Sequence, residues 1–545
     1  MRPGFPTREE CVPSFPILSS LIARHRNSLI LWLFCFAAGI VFCWGMGVNL
    51  LDESWFLQVT RRFMAGETLY RDIAYDTPPL PVYTASLACM LFGTQLFATK
   101  VLLAACFAFT ALFFVQAAGH MGFGSPRWTL VGAAFLLVYA PPYPNSMYNP
   151  AALVFLTACL ERCAAWIREA DAGRAGRRLI EAGIAAGLGA ACKQTIGGLA
   201  FAAAAAVLLE RSLAERRTAG WFMGSALRLA LPFFSALFLF AALPMLATGT
   251  AGAFLNYGFL SKGPYLRLAS IRYADQLREL LQFPPASSWS GLRDVYFNLP
   301  WLLPPIVLPG LAFLRFRLKD ADRRFAALLF FFSIASIAGA YPRYDFAHMG
   351  ILIPALGLGL FFMGRRLQAL AGLRIRRTVF FAGLVWLSAG ALVPGFHTAR
   401  SLLGRGSCRS DLPHFRHVPI RCGEYETLVR TTEWIRQAAP DRRVFLLDVH
   451  CGFYSLAAEL ENPTPYDFPL TTMIGEAGHE RLVSMIENGE INAVIIRPAH
   501  PAWGGLWPAE LEAVVRTRMV EASDGGEAGT LHVSRSASKA AGSAE

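Results

Sequence analysis

Charge is what this 545-residue sequence has least of: only 16% of its residues are Asp, Glu, Lys or Arg. A soluble protein carries about 25%. The shortage excludes an ordinary soluble enzyme. Hydrophobic residues make up 54% of the chain, the mean hydropathy is +0.41, and the apolar residues come in blocks near the ~20 residues that cross a bilayer. A cleavable signal peptide is also missing. The first apolar block, Leu29 to Val48, is too long for a signal core, and no small-residue cleavage site follows it. None of the 11 cysteines has metal-site spacing. Most, among them Cys35, Cys43, Cys106, Cys159 and Cys163, sit inside apolar segments as small hydrophobes. No internal repeat is visible, and the length is too great for one ordinary domain.

The formal net charge is +12. In a soluble chain that excess would suggest nucleic acid. Here it lies in short loops between apolar blocks, where it marks the cytoplasmic side of a membrane protein and faces anionic lipid headgroups. No nucleic-acid partner is expected.

The apolar blocks predict a polytopic α-helical membrane protein with about eleven crossings. Residues 1–28 form a basic cytoplasmic segment, residues 29–395 the membrane domain, residues 396–535 a soluble α/β domain on the far side, and residues 536–545 a disordered tail. Two external loops are expected, at 49–96 and 248–299. The stretch from Glu53 to Ala65 has helical spacing and is expected to lie on the membrane surface. Val82 to Phe92 reads as a second interfacial helix. Leu179 to Ala191 and Ile196 to Leu209 read as a hairpin of two short arms around Lys193. Arg-rich turns follow the crossings at Arg168, Arg174, Arg177 and Arg178, at Arg211, Arg216 and Arg217, at Arg315, Arg317, Arg323 and Arg324, and at Arg365 and Arg366. All fall on one side, which places the chain in the cell inner membrane with its C-terminal domain periplasmic. In that compartment Cys408 and Cys422 could pair, leaving Cys451 odd.

The polar exceptions are the candidate site. Asp52 and Glu53 stand where the first crossing leaves the membrane. Carboxylates at that depth are costly unless solvated or paired, so they mark a site by default. Tyr70, Asp72 and Asp76 follow in an aromatic, acidic loop ending in Pro78 and Pro79. Lys193, beside Gln194, lies between two apolar arms, where a phosphate is a natural partner. Arg343 and His348 could hold a phosphate while Asp345 orients one of them. Tyr148 and Asn149 are weaker candidates. Each has a bland alternative: a polar cap, a surface turn, a snorkelling lysine, an Arg–Asp pair.

The order of these features resembles the GT-C superfamily of membrane glycosyltransferases, which includes the protein O-mannosyltransferases and the lipid A aminoarabinose transferase. The resemblance covers about residues 29–395. It rests on Asp52-Glu53 after the first crossing, Tyr70-x-Asp72 leading to Pro78-Pro79-Leu80, the Lys193-Gln194 hairpin and Arg343-x-Asp345-x-x-His348. It implies a polyprenyl-phosphate-linked sugar donor and an acceptor hydroxyl on a glycan, lipid or protein. It also implies inverting attack, with Asp52 the preferred general base, Glu53 the second, and Lys193, Arg343 and His348 stabilising the leaving phosphate. No cofactor and no metal ligand set is expected. An O-antigen ligase or polymerase and a transporter of lipid-linked glycan are the competing readings.

Overall fold

The computed structural model describes residues 16–143, 147–282, 298–371, 401, 403–404, 406–497 and 505–535. The membrane domain opens with α1 (Pro16–Gly45), α2 (Asp52–Met64), α3 (Leu80–Phe92), α4 (Leu96–His120) and α5 (Pro126–Tyr139). Then come α6 (Tyr148–Arg168), α7 (Ala172–Cys192), α8 (Gln194–Ala214) and α9 (Ala219–Leu237), the last running through a π turn into α10 (Leu243–Ala247). Three short helices follow: α11 (Ala251–Gly258), α12 (Gly263–Leu268) and α13 (Tyr273–Gln282). The domain closes with α14 (Leu303–Arg317), α15 (Asp320–Ala340), α16 (Phe346–Met349) and α17 (Ile353–Ala371).

Among the described residues, 7 helices are long and apolar enough to cross a membrane. They lie within α1, α4, α6, α8, the continuous α9–α10 unit, α14 and α15. Helix is the expected form, because only a helix satisfies its own backbone where no water reaches. The chain is therefore a multi-pass membrane protein. The last expected crossing, Val379 to Gly395, lies outside the described residues, as do residues 283–297 and the tail 536–545.

Two expectations change. The hairpin arms are not short: α7 and α8 each run 21 residues, or about 31 Å at 1.5 Å per residue. Asp171 caps α7 by accepting from the Arg174 amide at 2.7 Å, so the helix starts in its charged turn, before the apolar run begins. The second change concerns α2, which does not lie open on a lipid surface. Glu53 through Thr60 are all buried, because the C-terminal domain covers the face the membrane domain leaves free.

The Arg-rich turns gather at one end of the bundle. Glu210 binds Arg315 at 3.3 Å and Arg323 at 3.4 Å, and Glu215 binds Arg324 at 3.0 Å. At the opposite end sit α2, the 248–282 segment and the C-terminal domain.

That domain begins with β1 (Ser407–Arg409) and β2 (Pro419–Arg421), an antiparallel pair tied by a Cys408–Cys422 disulfide. Helix α18 (Cys422–Ala438) leads to β3 (Phe445–Leu447) and α19 (Cys451–Ala457). Next come α20 (Thr471–Glu487), β4 (Ala493–Ile496) and α21 (Ala509–Arg518), then a hairpin of β5 (Val520–Asp524) and β6 (Thr530–Val533). The sheet order is β3-β4-β6-β5, with β3 parallel to β4 and the other pairs antiparallel. Helix α19 packs on α2: a Cβ on Gly452 would lie 2.6 Å from the Trp55 Cα. Only glycine permits that approach.

Candidate active site

The chain turns sharply between α1 and α2. Asn49 shapes the turn: its Oδ1 accepts from the amides of Leu51 at 3.0 Å and Asp52 at 3.1 Å. Helix α2 thus begins with two carboxylates in its first turn, where the amide dipoles favour negative charge. Their surroundings differ. Glu53 is 2% exposed; its Oε2 accepts from Lys100 Nζ of α4 at 2.9 Å and from the Asn49 amide at 3.3 Å. Asp52 is half-buried, and its contact is the Asn49 side-chain amide at 3.5 Å. Among the described residues no cation pairs with it. Burial pushes the Asp52 carboxyl up to about 6; Arg343 and Asn49 pull against this, while Asp345 and Glu53 add to it. Burial also raises Glu53, against the pull of Lys100.

Arg343 and His348 converge on Asp345. Arg343 Nε donates to Asp345 Oδ2 at 3.0 Å, and His348 Nδ1 lies 2.7 Å from Oδ1. The Asp345 carboxylate also caps α16 by accepting from the His348 amide at 3.0 Å. Burial pushes Asp345 up, but the bonds and charges of His348 and Arg343 outweigh it and hold it below the carboxylate range. Burial lowers His348, and the nearby Lys193 and Arg343 charges add to that. The imidazole is therefore neutral near pH 7. With its Nδ1 hydrogen given to Asp345, its Nε2 is an acceptor.

Lys193 sits at the turn between α7 and α8. The two helices meet there without clearance: a Cβ on Gly197 would come 1.8 Å from the Ala190 nitrogen. Lys193 Nζ donates to Asn149 Oδ1 at 2.8 Å and lies 5.5 Å from the Tyr148 ring centre. Both partners are neutral. Burial draws the ammonium down to about 8, with Asp76 and Asp345 opposing and Lys262 reinforcing the shift. Next to it, Gln194 donates to the Gly258 carbonyl at 3.3 Å, while its buried Oε1 has no partner among the described residues.

Electrostatics link these groups: Arg343 and Asp345 act on Asp52, Asp76 and Asp345 on Lys193, and Asp345, Lys193 and Arg343 on His348. Asp52 and Asp76 both act on Tyr148 and Tyr265. An apolar pocket adjoins this cluster, lined by Leu103, Phe107, Pro142, Tyr143, Asn149 and Leu153 among others. Two expected residues serve the fold of the loop instead. Tyr70 is buried at φ 70°, donating its hydroxyl to the Thr77 carbonyl at 2.7 Å. Asp72 closes the same turn, accepting from the Thr68 amide at 2.9 Å and pairing with Arg71 at 3.0 Å.

Three residues escaped the sequence reading. Asp76 is ion-paired with Lys262, and Lys262 lies 5.4 Å from the Tyr265 ring centre; nothing in the sequence of a long external loop singles these two out. Lys100 is different. A lone lysine inside the α4 apolar run was a visible signal. Among the described residues, no group of three His, Cys, Asp or Glu side chains gathers as a metal ligand set.

No known family profile matches the chain, and no curated protein sequence matches it. Solved structures do. ArnT from Cupriavidus metallidurans, crystallised bound to undecaprenyl phosphate, matches with a TM-score of 0.53 at 13% identity, over 92% of this chain and 97% of that one. Its apo crystal structure gives the same figures. Fold similarity this extensive at so low an identity concerns architecture: the chain is a multi-pass membrane protein with the GT-C fold.

Proposed function

We propose that this chain is an inverting glycosyltransferase that moves a sugar from a polyprenyl-phosphate donor to an acceptor hydroxyl on the periplasmic face of the inner membrane. The observation that carries the reading is the contrast between Asp52 and Lys193. One is a half-buried carboxylate with no cation paired to it among the described residues; the other is a half-buried ammonium whose partners are both neutral. A substrate with a hydroxyl at one end of its reacting bond and a phosphate at the other satisfies both.

Asp52, ionised above about pH 6, takes the proton of the acceptor hydroxyl. The oxygen attacks the anomeric carbon from the face opposite the phosphate, so configuration inverts. The carbon–oxygen bond to the phosphate breaks, and the leaving phosphate keeps the electron pair. Lys193 stabilises that developing charge. The Gln194 Oε1 and the His348 Nε2 are acceptors, which suits sugar hydroxyls. The neutral His348 thus fits sugar contact better than the phosphate contact expected of it. The apolar pocket suits the first isoprene units. The bonds of Glu53 to Lys100 and Asn49 favour Asp52 over it for the base role. Charge supports a monophosphate. Asp345 offsets Arg343, and Asp76 offsets Lys262, which leaves Lys193 for a single negative charge. ArnT, with the same fold, was crystallised with such a lipid. Nothing among the described residues favours the ligase or transporter readings.

The test is transfer from a labelled undecaprenyl-phosphate sugar in membranes, comparing wild type with Asp52→Asn and Glu53→Gln at matched expression. The proposal expects Asp52→Asn to abolish transfer. Full activity in that variant would remove Asp52 from the mechanism.

A further inference from the structure

Lys100 is 1% exposed on a helix of the membrane domain. A lysine is expensive there, and its retention calls for a reason. Its Nζ has two partners: the Gly47 carbonyl at 2.6 Å, on the chain leaving α1, and the Glu53 carboxylate at 2.9 Å, in the first turn of α2. One ammonium therefore holds both sides of the turn between them. From Glu53 the connection runs on: Oε2 accepts from the Asn49 amide at 3.3 Å, and Asn49 Oδ1 accepts from the Asp52 amide at 3.1 Å. The residue before α2, Leu51, supplies no side-chain cap. The direction of the first turn of α2, and with it of the Asp52 carboxylate, depends on Asn49 and on this brace.

We propose that Lys100 is a positioning residue for the transfer reaction, acting through Glu53 to aim the Asp52 carboxylate at the acceptor hydroxyl. This rests on the reading of Asp52 as the general base. Lys100 does not touch substrate; its bonds are to the backbone and side chain that hold the base. Misplacing a catalytic group by about 1 Å costs on the order of 100-fold in rate, and groups that orient a reacting residue commonly matter by about 10–100-fold. A lysine that merely stabilised the fold would lower the yield of folded protein and leave the turnover of the folded fraction unchanged.

The experiment measures kcat and donor KM for full-length Lys100→Met, Lys100→Arg, Glu53→Gln and the Lys100→Met/Glu53→Gln double variant. Each is purified in detergent and normalised to the monodisperse fraction. Binding of undecaprenyl phosphate is measured on the same samples. The expected result is a kcat about 10–100-fold lower in Lys100→Met, with donor KM and undecaprenyl phosphate affinity within about threefold. Lys100→Arg should recover part of the kcat. The double variant should be no slower than Lys100→Met, because both changes cut one connection. A Lys100→Met kcat within twofold of wild type overturns the proposal. So does a loss confined to donor KM, or a double-variant loss equal to the product of the single losses. If Lys100→Met yields no folded protein, the double variant, which leaves no buried carboxylate unpaired, takes its place. Wild-type kcat in it, or failure of it to fold, overturns the proposal too. Asp52→Asn is the control. Full activity there sinks the base assignment, whereas an inactive Asp52→Asn beside fully active Lys100 variants sinks only the brace.

Discussion

The two ends of α2 carry similar sequence signals and opposite physics. At its start Asp52 and Glu53 adjoin; at its end Arg61 and Arg62 adjoin. At the far end Arg62 is ion-paired twice and Arg61 is held by a carbonyl. Arg62 bonds Asp467 at 2.8 Å, the Thr464 carbonyl at 2.9 Å and the Asp72 carbonyl at 2.9 Å, and pairs with Glu67 as well. Arg61 donates to the Leu460 carbonyl at 2.6 Å. At the near end Glu53 is matched by Lys100, and among the described residues no cation pairs with Asp52. A closed network stabilises, whereas a carboxylate held out of its network is available to react. On the proposed mechanism, what separates a working charge from a structural one is its partner.

The comparison breaks most sharply at Asp52. Asp52→Asn is expected to lower transfer by about 1,000-fold or more while leaving the elution profile and melting temperature unchanged, since a positioned general base contributes about 10²–10⁴. Lys193→Met should cost about 100-fold, read as turnover of a lipid-linked sugar, because it removes a cation from the developing phosphate charge.

The far end predicts the reverse pattern. Arg62→Met leaves the buried Asp467 carboxylate unpaired, at a cost of about 3–5 kcal/mol. It should lower the melting temperature by several degrees, with turnover per folded molecule staying within a few-fold. If turnover falls while stability holds, the division between the two ends is wrong.

A pH profile sharpens the comparison further. Below about pH 6 Asp52 is protonated and cannot accept a proton; above about pH 8 Lys193 loses its charge. The kcat/KM of wild type should rise through the first value and fall through the second. Bound phosphate favours the ammonium, so the falling limb of kcat should lie higher than that of kcat/KM. Lys193→Arg should lose the falling limb altogether. The smallest effect is expected at Asp72, whose bonds close a local turn. Asp72→Asn should transfer sugar within about twofold of wild type and cost about 1 kcal/mol of stability.

Much of this was legible in the sequence. The crossings, the acidic pair, the lysine hairpin and the Arg343–His348 turn follow from hydropathy and from the cost of charge near lipid. The strands Phe445–Leu447 and Ala493–Ile496 were visible as short apolar runs. The β5–β6 hairpin was not, because both strands are short and β5 is mostly exposed. The burial of α2 was invisible for another reason: an amphipathic pattern states that one face is apolar without saying whether lipid or protein covers it. Long-range pairs carry no local pattern. Lys262 meets Asp76 across 186 positions, so neither residue announces the other. Lys100 could have been found, but its apolar neighbours made the run read as an ordinary crossing.

The cover over α2 has a consequence for how the protein is made. Asp467 lies 405 positions after Arg62, and Gly452, which packs on Trp55, comes nearly as late. A nascent chain inserts its first helices long before the ribosome reaches these residues. Helix α2 therefore waits, half-covered, through the synthesis of almost the whole membrane domain. A chain that stalls or is clipped before its last third is inserted without the residues that cover α2. On the proposed function, completion of the polypeptide is the step that finishes the site.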